Sequence, residues 1–86
     1  MTIREANEPL SSGIKIIIAK KGLKQIYIAE KAGFTSQELS DMLNGRKIIK
    51  PCDSLAIADA LEVTMNELYA MEKESDLYEA GKKGDI

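Results

Sequence analysis

The residue types that usually carry covalent or metal chemistry are almost missing from this 86-residue chain. It has no histidine and one cysteine, Cys52, so neither an intramolecular disulfide nor the usual zinc spacings can be built. No glycine-rich phosphate loop and no nucleophile with a base at motif spacing is present, which argues against an enzyme. Carboxylates such as Glu62 and Glu67 fit solvated helix faces, and no cofactor or metal is expected. Cys52 has two readings, a reactive thiol or a small residue at a helix edge. What remains is non-covalent chemistry. Thr35-Ser36-Gln37-Glu38 and Thr64-Met65-Asn66-Glu67 both have the form of a capping box, a hydroxyl and a carboxylate that each satisfy a free backbone N–H at a helix start.

Charge is the second resource. The net value is −2, but residues 1–13 carry −1, residues 14–50 carry eight Lys/Arg against three acids (+5), and residues 51–86 carry three Lys against nine acids (−6). The positive stretch coincides with the first capping box, and such a stretch suits an anionic partner.

The elements that must position these groups read as helices. Pro9 suits a first turn, with Asn7 or Glu8 as candidate cap, and a helix over Pro9 to Lys21 carries Leu10, Ile14, Ile17 and Ile18 as an amphipathic stripe ended by Gly22. The β-branched run Ile16–Ile18 is not read as a strand, because helical signals flank it and no partner strand follows. A second helix, about Lys24 to Ala32, turns Ile28, Ala29 and Ala32 toward the core with Ile26 and Tyr27 partly covered, and stops at Gly33. A third, 36–43, buries Leu39, Met42 and Leu43 and closes at Asn44-Gly45, with Phe34 and Leu39 as a hydrophobic staple. A fourth, about Cys52 to Leu61, has Leu55, Ala58 and Leu61 as its apolar face, flanked by Ile57. A fifth starts at the Thr64 box and runs through Leu68, Tyr69 and Met71, extending to Leu77 and Tyr78 if it continues. This predicts one all-α domain over 9–74, between an N-terminal arm (1–8) and a frayed polar tail (75–86). The longest apolar run, Ile16 to Ala19, is far short of a membrane span and no signal-peptide core is visible, so a cytoplasmic chain is expected.

The segment Gln25 to Gly45 joins two short helices through a glycine turn, the helix-turn-helix unit. With its flanks, GLKQIYIAEKAGFTSQELSDMLNGRK and PCDSLAIADALEVTMNELY, it resembles the lambda-repressor-like (Cro/C1, XRE-type) DNA-binding domains over about Leu10 to Met71. The resemblance implies a compact five-helix domain acting as a transcriptional regulator, most simply a repressor of bacterial or phage origin, on a pseudo-palindromic operator in double-stranded DNA.

It also implies roles by position. Ser36, Gln37, Ser40 and Asp41 match positions facing base edges, and a Gln37 amide can pair bidentately with adenine. Glu38 is used up by the capping box. Asp41 either accepts from cytosine N4 or pairs with a basic side chain facing away from the groove; the two remain open. Lys24, Gln25, Asn44, Arg46, Lys47 and Lys50 match phosphate-contacting positions. Ile48 and Ile49 read either as core or as an exposed apolar pair. Leu68, Tyr69 and Met71 are the expected contact of a homodimer that is weak without DNA, a core role for them being the alternative. The acidic second half motivates another reading, an antitoxin-like or anti-repressor module that binds a basic partner protein.

Overall fold

The computed structural model describes residues 1–70. They form α1 (Ile3–Asn7), α2 (Leu10–Lys21), α3 (Gln25–Ala32), α4 (Ser36–Leu43), α5 (Pro51–Leu61) and a sixth helix, α6, over 65–70. No strand occurs among the described residues. Ile14, Ile28, Leu39, Met42, Ile57, Leu61 and Leu68 are fully buried and bring α2 to α6 onto one core. No helix among the described residues is long and apolar enough to cross a membrane.

Local chemistry explains most helix boundaries. Gly22 and Gly33 adopt left-handed φ values of 65° and 88°, and each lets the following residue bond back into the helix. Leu23 N–H reaches Ile18 O at 3.0 Å and Phe34 N–H reaches Ala29 O at 2.8 Å. Glu62 does the same for α5 at φ 59° without being glycine. Lys21 Nζ donates to Leu61 O at 2.8 Å, placing a cation at the carbonyl end of α5. Thr64 Oγ1 accepts from Glu67 N at 3.2 Å and opens α6.

Several boundaries and faces differ from the sequence reading. Residues 3–7 of the expected arm are helical, because Thr2 and Glu5 form a third capping box. Asn7 is not a cap for α2; it is buried in the fold, and the Glu8 carboxylate instead accepts from the hydroxyls of Ser11 and Ser12. Pro9 sits just outside α2 and Pro51 opens α5 one residue earlier than expected. Leu55 is 60% exposed, whereas Ile57 is fully buried. Helix α5 buries Ser54, Ile57, Ala58 and Leu61, spaced by three and four, with the small Ala60 beside them, and Leu55 lies about 100° from Ser54 on the helical wheel. Ile26 and Tyr27 are exposed, with Lys31 Nζ 5.7 Å from the Tyr27 ring centroid.

Two close approaches dock α6 and α1. A Cβ on Gly13 would stand 2.1 Å from Leu68 O, so α6 passes directly against α2. A Cβ on Gly45 would stand 2.8 Å from Arg4 Cβ, so α1 covers the end of α4.

Candidate nucleic-acid interface

Helix α4 is short and strongly two-faced. Leu39, Met42 and Leu43 are buried, while Ser36, Gln37, Ser40, Asp41 and the following Asn44 share the other side of the wheel. Ser36, Gln37 and Asn44 are exposed, and Ser40 and Asp41 are half-buried. Thr35 Oγ1 accepts from Glu38 N at 3.1 Å and Glu38 Oε1 accepts from Thr35 N at 3.0 Å, closing the capping box. Phe34 and Leu39, flanking the cap, both pack into the core and orient the entry of the helix.

The polar side chains of this surface form a Gln37–Asp41–Arg46 cluster and a Glu38–Lys47 pair rather than a row of free groups. Gln37 Nε2 donates to Asp41 Oδ1 at 2.8 Å, and Arg46 Nη1 lies 3.4 Å from the same oxygen. Lys47 Nζ donates to Glu38 Oε2 at 3.2 Å. Glu38 therefore serves two partners with two oxygens. The Thr35 backbone N–H, the Lys47 ammonium and the Thr35 hydroxyl hold its carboxyl below the ordinary glutamate value. Asn44 Nδ2 donates to Ser40 O at 2.9 Å and Oγ at 3.2 Å, which turns its amide back onto α4.

The loop after α4 is organised from both sides. Asp41 O accepts from Arg46 N at 2.8 Å and from Lys47 N at 3.1 Å, so the chain reverses tightly over Gly45 at φ 76°. Asn7 holds the far side: Nδ2 donates to Met42 O and to Lys47 O, both at 2.9 Å, and Oδ1 accepts from Ile49 N at 2.8 Å. Ile49 consequently packs against the core and Ile48 points outward. Arg46 and Lys50 are exposed, and Lys47 is half-buried.

At the opposite end of the motif, α3 begins with Lys24 and Gln25 exposed, no side-chain cap and no acid in its first turn. Its leading N–H groups thus lack the carboxylate and hydroxyl partners that close α4, and the helix dipole favours an anion there. Arg4 was not singled out by sequence reading, yet Nη2 donates to Asn44 O at 2.9 Å and sets another cation beside the end of α4. The Thr2-Ile3-Arg4-Glu5 box was the available signal for the helix that carries it.

The residues expected at a dimer contact separate. Leu68 is fully buried and belongs to the core, so its side chain offers no surface, whereas Tyr69 is exposed; Met71 lies outside the described residues. Cys52 is exposed in the first turn of α5. Among the described residues no group of His, Cys, Asp and Glu side chains could hold a metal ion.

Against known proteins, a helix-turn-helix family model matches residues 14–68, from the middle of α2 to α6. No curated protein and no solved structure matches the chain significantly. The matched span contains α3, its glycine turn, the capped α4 with its outward polar face, and the packing helices behind them. The chain belongs to the helix-turn-helix family of Cro/C1, XRE-like type, whose members are DNA-binding transcription regulators.

Proposed function

We propose that this chain, of bacterial or phage origin, reads a specific sequence in double-stranded DNA and represses transcription by occlusion in the bacterial cytoplasm. Helix α4 enters the major groove with Gln37 as the principal base reader and Ser36 and Ser40 beside it. Phosphates are met at one end by Lys24, Gln25 and the uncapped N-terminus of α3, and at the other by Asn44, Lys47 and Lys50. The observation that carries this reading is the exposed polar face of α4, flanked by the α3 start and the basic loop.

A weak homodimer matches a pseudo-palindromic operator with half-sites about one helical turn apart. Tyr69 is the proposed contact, with exposed Leu55 beside it on the rim of a groove of about 340 Å³ between α1, α5 and α6.

The test is titration onto a duplex selected from a random pool, at several salt concentrations. Lys47→Ala weakens binding to every sequence and flattens the salt slope by roughly one unit. Gln37→Ala relaxes preference at one base position. Absence of salt-dependent binding to any duplex defeats the proposal.

One observation favours a second reading. Residues 51–70 carry four acids and no Lys or Arg, which suits a basic partner protein of an antitoxin-like module. Stoichiometric recovery of such a protein by a chain inert toward DNA would select this reading instead.

A further inference from the structure

Asp41 is the anomalous residue of the α4 face, because a carboxylate opposes approach to a polyanion. Its surroundings supply an explanation. One oxygen, Oδ1, accepts from Gln37 Nε2 at 2.8 Å and lies 3.4 Å from Arg46 Nη1. The Gln37 pair spans four residues, one turn of α4, and the Arg46 pair ties the loop to the same turn. From these contacts we propose that Asp41 is a positioning residue that sets base preference through Gln37, rather than a group that touches a base. The proposal rests on the DNA-binding reading above.

An amide side chain can present its oxygen and its nitrogen in either order, and the two orders read different bases. An ionised carboxylate accepts hydrogen bonds and donates none. Facing Asp41, the Gln37 amide must turn its nitrogen inward, since the opposite orientation sets Oε1 against a carboxylate oxygen. One N–H is spent on Asp41. The second N–H and Oε1 remain side by side, the donor and acceptor that adenine N7 and N6–H require. Without Asp41 the amide flips freely and can offer donors alone to guanine or an acceptor to cytosine. Arg46 neutralises the brace and is itself held back from phosphate.

The side chain can be altered without dismantling the loop, because the loop hangs on the Asp41 backbone carbonyl, which accepts from Arg46 N and Lys47 N. Base preferences are therefore compared by selecting bound duplexes from a random pool with wild type, Asp41→Ala, Asp41→Asn, Gln37→Ala and the double Gln37→Ala/Asp41→Ala variant, with thermal unfolding of each as a fold check. Asp41→Ala is expected to reduce discrimination about tenfold at the base pair that Gln37→Ala affects. The double variant should be no less selective there than Gln37→Ala alone. Asp41→Asn can either accept from Gln37 or donate to it, so it should lose part of the preference at that base pair, and by freeing Arg46 it should steepen the salt slope by about one unit. Unchanged selectivity in Asp41→Ala, or loss at a different base pair from that of Gln37→Ala, overturns the brace alone. If wild type selects no duplex, the DNA-binding reading falls and the brace with it.

Discussion

Asn7 Nδ2 donates to Met42 O at 2.9 Å across 35 residues of sequence. The same side chain also holds Lys47 O and Ile49 N, so one buried amide fastens α1 to both ends of the loop that follows α4. All three partners are backbone groups, and Asn7 itself is only 2% exposed. A sequence-remote residue thus controls where the basic loop lies.

Asn7→Ala is expected to cost about 2–3 kcal/mol, because it strands buried backbone groups that water reaches poorly. Urea unfolding of wild type and variant measures this. Asn7→Asp keeps the acceptor for Ile49 N–H but sets a carboxylate against the Met42 and Lys47 carbonyls, and should be at least as damaging. A loss below about 0.5 kcal/mol for Asn7→Ala would show that the loop does not depend on the amide.

Gly13 is required by the passage of α6 across α2. Gly13→Ala places a methyl group 2.1 Å from Leu68 O, a backbone atom that moves only if α6 moves. The expected cost is about 1–3 kcal/mol, with α6 displaced from the core. Thermal unfolding gives the energy, and proteolysis within 65–70 reports whether α6 has loosened.

Glu62 holds a left-handed conformation that a side chain disfavours, φ 59°. Glycine adopts this region without the Cβ clash, so Glu62→Gly should stabilise the fold by about 0.5–1 kcal/mol despite the added freedom of the unfolded chain. Gly22→Ala is the mirror experiment at φ 65°, where nothing else crowds the added methyl. It should destabilise by about 1 kcal/mol. Equal stability of all three proteins would refute the backbone argument.

Glu38 links stability to pH. Its carboxyl is held below the ordinary value by the Thr35 N–H first, then by Lys47 and the Thr35 hydroxyl. A depressed folded pKa contributes stability that is fully present above the unfolded value and is lost as pH falls through the folded one. The wild-type urea midpoint should therefore exceed that of Glu38→Gln most at neutral pH, and the gap should narrow on acidification below about pH 5. A gap independent of pH would mean that protonation of Glu38 is not linked to folding.

Much of the helix-turn-helix unit is legible in the chain because its signals are local. The Thr35 box, the left-handed Gly33 and Gly45, and the spacing of Leu39, Met42 and Leu43 act within a few residues of one another. A reader of the sequence meets cause and effect together. The same holds for Thr2 and Glu5, whose box starts α1 where the sequence reading expects an arm. Leu55 failed for a different reason: in an apolar-rich helix such as α5, periodicity allows more than one buried stripe, and only the neighbouring helices select Ser54, Ile57, Ala58 and Leu61.

The chain by itself determined helices α2 to α6, the turn between α3 and α4, and the concentration of positive charge over residues 14–50, since caps, glycines and charge act through short range or through composition. Tertiary structure alone decided that Asn7 anchors the loop, that Leu68 belongs to the core while Tyr69 does not, and that Arg46 folds back onto Asp41. Those outcomes depend on long-range packing or on the rotamer each side chain adopts among its neighbours. Neither is encoded in local spacing.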